Sequence, residues 1–257
     1  MLITKCRSGF TLVEMMIALL GIIILAGLLY PVFSSVREDG RRTSCASNLR
    51  QLGLAFQLYS QDNNGRLPAG HALPGSAFGH GWASSLFPYV KNEPSFLCPS
   101  DSGVNGIVGT VSYAYNFSIG HPLWGRFALS SFRSPNKTVL LSDISMSETF
   151  SLKDISESAS PAVSGLNLIG TPSNLLYGTG YLGGNSGINP PFPSDIGRHN
   201  AVANYLFIDG HVKALSGDKV CPGLAAGSSD APQSPDPTGV QSAGTQNPQF
   251  MATFSPR

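Results

Sequence analysis

Residues 15–33 carry no charged side chain, and this run of nineteen residues constrains the chain more than any other feature. About 20 apolar residues in a helix cross the hydrocarbon core of a bilayer. Lys5 and Arg7 precede the run, and basic residues beside a span favour the cytoplasmic side. The sequence therefore predicts a single membrane-spanning helix with a cytoplasmic N-terminus, and it places the rest of the chain across the membrane.

Three kinds of segment share this pattern. A secretory signal requires a small-residue cleavage site after the apolar run. A lipoprotein signal requires a cysteine, where residues 25–27 are instead followed by Leu28. A plain anchor requires neither, but it leaves Glu14 unexplained, because an acidic side chain at mid-membrane costs about 2.5–3.5 kcal/mol and normally has a partner.

The segment Gly9-Phe10-Thr11-Leu12-Val13-Glu14 resembles the cleavage and methylation motif of type IV prepilins and type II secretion pseudopilins. The resemblance implies that residues 1–9 are a leader, that a prepilin peptidase cuts between Gly9 and Phe10, and that Phe10 is N-methylated. Glu14 then pairs with the terminal amine of Phe10 in a neighbouring subunit, which supplies the countercharge that a buried carboxylate needs. The implied partners are the peptidase, other pilin or pseudopilin subunits and the inner membrane. The implied location of the folded head is the periplasm or the cell surface.

An apolar stripe extends the helix beyond the membrane segment. Its members recur at alternating steps of four and three, as expected for one helical face: Cys45, Leu49, Leu52, Phe56 and Tyr59. We predict one spine helix over residues 10–60, about 75 Å long at 1.5 Å per residue. Its second half packs on a globular head, and the turn residues 62–65 end it.

Short strand-like runs follow at residues 111–117, 138–141, 202–208 and 212–215. Because they are short and separated by turns, they favour an antiparallel sheet packed on the helix, an α+β fold of the pilin type with long loops. Residues 158–194 contain no charge and are predicted to form loops. The head is assigned to residues 61–215, and residues 216–257, rich in proline, glycine and serine, are predicted to be a flexible tail. Phe250, Met251 and Phe254 at its end could dock on the head or on a partner, but an untethered terminus is favoured.

His199 is followed by nine residues and then by Asp209-Gly210. This pattern resembles the H-X9-DG motif of a pilin-like family labelled DUF1559. Three further pieces agree with that family: residues 41–45, residues 48–53 and residues 98–101. The resemblance covers most of residues 8–215 and implies a class of protein without a defined biochemical role.

Physical reasoning explains part of the motif. Asp209-Gly210 between two apolar runs predicts a two-residue type I′ turn that pairs Ile208 with His211. His199 is less easily explained, and a cap on the first strand is the simplest interpretation. Alternatively, His199, Asp209, His211 and Asp143 could form a calcium site, so that the protein is an extracytoplasmic ligand- or metal-binding module.

The cysteines Cys6, Cys45, Cys98 and Cys221 lie too far apart for a CxxC pair, which argues against a zinc site. Loss of Cys6 with the leader leaves three, so at least one remains unpaired within the chain. A disulfide between Cys45 and Cys98 is a hypothesis for a protein outside the cytoplasm.

Enzymatic and nucleic-acid-binding functions have little support in the sequence. Ser100, Asp101 and His199 supply the residue types of a hydrolase, but no G-x-S-x-G elbow accompanies them. The net charge of +1 provides no basic footprint for nucleic acid. We therefore predict a structural subunit that has no catalytic residues and no cofactor.

Overall fold

The computed structural model describes residues 9–68, 82–100, 110–120, 128–149, 162–163, 199–216, 219–221, 226–232, 234–236, 239–241 and 243–257. The chain divides into two compact units, residues 1–40 and residues 41–257. The prediction about loops in residues 158–194 falls almost entirely outside the described residues. Only Ala162–Val163 is described there, and it forms a short strand.

Helix α1 runs from Leu12 to Asp62. It begins at a capping box, in which Thr11 and Glu14 satisfy each other's backbone N–H groups. It ends before Asn64 and Gly65, both in the left-handed conformation that closes a helix, with φ of 54° and 74°. One continuous spine helix was predicted over residues 10–60, and the structure confirms it.

The N-terminal unit contributes the first part of α1. Its large apolar side chains are exposed, for example Ile17 at 65% and Leu28 at 69%. The helix is long and apolar enough to cross a bilayer, and none of its most apolar window is covered by protein. An exposed apolar surface of this extent needs lipid or partner helices to cover it.

The second unit is built on a five-stranded sheet. Its strands are β1 (Thr110–Asn116), β2 (Val139–Thr149), β3 (Ala162–Val163), β4 (Val202–Phe207) and β5 (Val212–Ser216). The order is β3-β1-β2-β4-β5, antiparallel except for the short parallel pair β3–β1. This arrangement confirms the predicted α+β class with a small, mainly antiparallel sheet.

One face of the sheet packs on the C-terminal part of α1 and on helix α2 (Trp82–Val90). The predicted stripe of Cys45, Leu49, Leu52, Phe56 and Tyr59 is buried there. The rings of Phe56, Trp82 and Tyr115 pack against one another, with the Phe56 centroid 6.0 Å from Trp82 and 5.4 Å from Tyr115, and the last two 6.3 Å apart. Short helices α3 (Phe117–Gly120), Glu93–Phe96 and Leu129–Ser131 complete the helical elements among the described residues.

The other face of the sheet is covered by the C-terminal segment, which corrects the prediction of a flexible tail for residues 243–257. Phe254 is fully buried against Val139, Tyr205 and Phe207. Strand β6 (Val220–Cys221) pairs in parallel with the strand at Ala252–Thr253. The composition of the tail suggested too little burial to order it, but Val220, Ala252 and Phe254 lie against an apolar face of the sheet.

Two further strands, β7 (Ser234–Asp236) and β8 (Gly239–Gln241), pair with each other, which makes the strand at Ala252–Thr253 β9. Cys221 is a buried thiol whose Sγ accepts the N–H of Ala243 at 3.1 Å. Burial raises its pKa to about 12, despite that hydrogen bond, so the thiol stays protonated at neutral pH.

Candidate functional site

Two regions hold the residues that the sequence singled out: the start of α1, and a cluster of motif residues where α1 meets the sheet. In the first region, Gly9 and Phe10 lie before the helix and are exposed, Phe10 at 76%. A peptidase needs accessible backbone at the bond that it cuts. The leader residues 1–8 lie outside the described part of the chain.

Glu14 is held by Thr11 in this single subunit. Its Oε2 accepts the backbone N–H of Thr11 at 2.9 Å and the Thr11 hydroxyl at 2.8 Å. In return, the backbone N–H of Glu14 donates to the Thr11 hydroxyl at 3.3 Å. The carboxylate therefore sits one turn from Phe10, at the helix end where the backbone N–H groups favour a negative charge.

In the second region, Cys45 on α1 and Cys98 are joined by a disulfide with an S–S distance of 2.09 Å. The segment before Cys98 is fixed to α1 by side chains of the residue 48–53 motif. Asn48 Nδ2 donates to the carbonyl of Leu97 at 2.7 Å, and Gln51 Oε1 accepts the hydroxyl of Ser95 at 2.7 Å. These two polar residues, one step from the apolar stripe, hold the segment so that the cysteines meet.

His199 lies against this disulfide and is fully buried. Its Nε2 is 3.4 Å from Cys98 Sγ and 3.4 Å from Asp143 Oδ2, and its Nδ1 is 3.3 Å from the Ser100 hydroxyl. Asp143 on β2 is also buried, and its Oδ2 accepts the backbone N–H of Asn204 at 2.7 Å. The sequence suggested a strand cap for His199, or a calcium site shared with Asp143, and nothing in the local pattern showed that residues 45 and 98 meet it.

The backbone of His199 forms a tight turn with Val202. Hydrogen bonds run in both directions between these residues, at 2.9 and 3.0 Å, and the two central residues have positive φ, 46° at Asn200 and 66° at Ala201. This is the pattern of a type I′ turn. The turn begins β4 and directs the imidazole inward.

The prediction of a type I′ turn at Asp209-Gly210 was wrong. Only Gly210 has a positive φ, at 89°, and its N–H bonds the carbonyl of Phe207. Leu206 pairs with Val212, so the register differs by one from the prediction. The hairpin has the pattern of a type I turn followed by a left-handed glycine, which an Asp-Gly sequence also suits.

Gly210 lies against α1. A Cβ there would come within 3.0 Å of Gln57 Nε2, and a Cβ on Gly53 would come within 3.0 Å of Leu206 Cδ1 and 3.8 Å of the Gly210 Cα. The glycine of the 48–53 motif and the glycine of the H-X9-DG motif thus permit one close crossing of helix and hairpin. Asp209 accepts the His211 N–H at 3.2 Å and contacts its imidazole.

The four residues suggested for a calcium site do not form one site. His199 precedes β4 and contacts Asp143 of the neighbouring strand β2, whereas Asp209 and His211 lie in the hairpin that follows β4. Of the residues suggested for a hydrolase, Ser100 meets His199, and Asp101 lies outside the described residues. The described residues therefore assemble His199 with Asp143, Ser100 and the disulfide.

Two family models match the N-terminal part of the chain. A model described as the prokaryotic N-terminal methylation motif matches residues 4–30, and one described as a protein of unknown function (DUF1559) matches residues 34–96. Comparisons with curated proteins and with solved structures gave no match. The H-X9-DG residues lie beyond the matched ranges.

A long exposed apolar helix followed by a small α+β head is a pilin-like arrangement. The two matches narrow the similarity. Over residues 4–30 the chain is similar to proteins with a prepilin-type methylation motif, and over residues 34–96 it is similar to proteins of the DUF1559 family.

Proposed function

We propose that the protein is a structural subunit of a type II secretion or type IV pilus-like assembly. In this proposal, a prepilin peptidase cleaves between Gly9 and Phe10, and Phe10 is N-methylated. The observation that carries the proposal is the N-terminal unit. An exposed, helix-capped carboxylate at Glu14 stands at the head of an apolar helix, directly after an accessible Gly-Phe bond.

Physical chemistry supports assembly as the reason for this arrangement. A carboxylate inside a bilayer needs a countercharge, and cleavage creates one at the amine of Phe10. The exposed apolar side chains of α1 suit lipid before assembly and neighbouring helices after it. The basic residues Lys5 and Arg7 favour a cytoplasmic N-terminus, and the disulfide suits an oxidising compartment for the head.

A structural role also suits the buried cluster better than catalysis does. A general base must come within hydrogen-bond reach of a substrate proton. His199 and Asp143 are both fully enclosed, and the carboxylate is already used to hold β4 through Asn204. The role proposed for this cluster is to stabilise the folded head, through the disulfide and the contacts of His199.

Cleavage is the direct test. The full chain is co-expressed with a prepilin peptidase and its N-terminus is sequenced. We expect the product to begin at N-methylated Phe10, while Gly9→Leu stays at its full length because the bulky side chain blocks the peptidase. Ser8→Ala is the matched control and should be cleaved normally. An unchanged wild-type chain, or a product beginning beyond residue 25, would refute the proposal.

A further inference from the structure

The buried cluster around His199 contains more metal-ligating groups than a structural lock needs. The sulfurs of Cys45 and Cys98 and a ring nitrogen of His199 all lie within 4.8 Å of one another. Asp143 Oδ2 lies 3.4 Å from the same Nε2 that faces Cys98. Two cysteines, a histidine and an aspartate are the side chains that zinc prefers in a four-coordinate site.

We propose that reduction of the Cys45–Cys98 disulfide converts this cluster into a zinc site. The ligands are the two thiolates, Nε2 of His199 and a carboxylate oxygen of Asp143. The disulfide and the metal are mutually exclusive, because a bonded pair of sulfurs has no thiolate to offer. The head therefore has two alternative cross-links at the same place, a disulfide when oxidised and Zn²⁺ when reduced.

Two distances from His199 Nε2 already approach those between the ligand atoms of a zinc site. With Zn–S bonds of about 2.3 Å and Zn–N or Zn–O bonds of about 2.0–2.1 Å, neighbouring ligand atoms in a tetrahedron are roughly 3.3–3.8 Å apart. The distances from His199 Nε2 to Cys98 Sγ and to Asp143 Oδ2 are both 3.4 Å. The Cys45 sulfur also lies within 4.8 Å of a ring nitrogen of His199, and reduction must let the two sulfurs separate to roughly 3.8 Å.

The hydrogen bonds around the cluster orient the ligands. When His199 donates Nδ1–H to the Ser100 hydroxyl, 3.3 Å away, the lone pair of Nε2 points to the cysteine side. Such outer partners of a ligating histidine fix its tautomer and ring position. Asp143 Oδ2 accepts the Asn204 N–H, and Oδ1, also buried, accepts no hydrogen bond from the described residues. That carboxylate therefore keeps an oxygen available for a cation.

The chemistry balances with a reductant of the dithiol or phosphine class. Two electrons break the S–S bond and two protons give two thiols. With a water-soluble phosphine, the reductant leaves as its oxide and the oxygen comes from water. Zinc binding then releases both thiol protons, so that the metal meets two thiolates. The wide spacing of the cysteines argued against zinc in the sequence, because residues 143 and 199 join them only in the fold.

The test uses the full chain, purified in detergent, oxidised or reduced with a water-soluble phosphine. Zinc is measured per chain after equilibrium dialysis, and Co²⁺ serves as a spectroscopic probe. We expect one Zn²⁺ per reduced chain and less than about a tenth of that in the oxidised chain, since disulfide sulfurs are not ligands. Reduced protein with Co²⁺ should show thiolate charge-transfer and tetrahedral ligand-field bands.

Variants assign the ligands. His199→Ala and Asp143→Asn should weaken zinc binding at least about 10–100-fold, the effect known even for outer partners of a ligand. His211→Ala and Cys221→Ser should bind as the parent does. Circular dichroism of the oxidised variants checks folding, and the Co²⁺ spectrum of the parent decides the proposal if a variant does not fold. Reduced parent protein that binds no zinc, or unchanged binding in both ligand variants, would overturn it.

Discussion

His199 shows how one side chain connects distant parts of the chain. Its two ring nitrogens face opposite ways, one toward Ser100 and the other toward Cys98 and Asp143. An apolar ring of similar size would fill the same space but would leave the buried carboxylate without this polar contact, which is costly. A histidine is therefore required by the neighbours that the fold brings to it.

Gly210 is the second residue whose identity the structure explains. Its φ of 89° is in the left-handed region, and a Cβ would lie 3.0 Å from Gln57 Nε2 on α1. Any larger side chain therefore has two separate costs in folding free energy: first, backbone strain at positive φ, and second, the close contact with Gln57. Gly65 carries only the first of them, because its φ is 74° and the space around it is open.

We predict that Gly210→Val lowers the free energy of unfolding by more than the roughly 1–2 kcal/mol of left-handed strain. Gly65→Val, the matched control, should show that strain alone. Asp209→Asn should stay within about 0.5 kcal/mol, because its Oδ1 still accepts the His211 N–H. Thermal melting with calcium and with chelator measures all three. Equal losses in the two glycine variants, or calcium-dependent melting abolished by Asp209→Asn, would contradict this account.

At the scale of elements, β4 connects the two sides of the head because both of its faces are buried. Leu206 faces the core formed with α1, whereas Tyr205 and Phe207 belong to the core under the C-terminal segment. Asn116 ties that segment to the sheet, with Nδ2 donating to the carbonyls of Val139 and Phe254 at 2.7 and 3.0 Å. The C-terminal segment is thus a third layer of the head.

Truncation of Phe254 tests whether this layer contributes to stability. We predict that Phe254→Ala costs about 3–5 kcal/mol, the usual range for a buried phenylalanine. Met251→Ala, at a side chain that is 46% exposed, should change stability by less than about 0.5 kcal/mol. Denaturant unfolding of the full chain in detergent gives both values. Similar small effects in both variants, with early proteolytic loss of residues 243–257, would restore the flexible-tail interpretation.

For the whole molecule, the division into two units matches two environments. The unit of residues 1–40 exposes apolar side chains, whereas the described residues of the unit 41–257 bury most of theirs, in three clusters. Among the described residues of the first unit, Thr11 is the hydrogen-bond partner of the Glu14 carboxylate. In the proposed assembly, the terminal amine of a neighbouring subunit would give it a countercharge, which the neutral N–H and hydroxyl of Thr11 do not supply.

We predict that Glu14→Ala inserts in the membrane as well as the parent but is incorporated poorly into fibres. Removal of the carboxylate lowers the cost of insertion and leaves the neighbour's amine without its countercharge. Glu38→Ala, which removes a carboxylate beyond the apolar run, is the matched control. Membrane fractionation and quantitation of sheared fibres distinguish the two steps. Normal incorporation of Glu14→Ala would show that another contact sets the register of subunits.

The sequence by itself determined the features that local patterns encode. The uncharged run, the stripe from Cys45 to Tyr59 and the turn residues at 62–65 were enough to predict α1, because helical period and hydrophobicity act within a few residues. The strands followed from short apolar runs between turns. The prepilin motif could be recognised for the same reason, since Gly9, Phe10 and Glu14 lie within six consecutive residues.

Only the tertiary structure determined which distant residues lie next to one another. His199, Asp143 and the Cys45–Cys98 pair come from four separated segments, and no local signal joins them. The docking of Phe254 had a weak signal in the nearly continuous apolar run of β4, which is typical of a strand buried on both faces. Composition ranked the tail as flexible because it counts apolar residues, whereas burial depends on whether a complementary face is there to receive them.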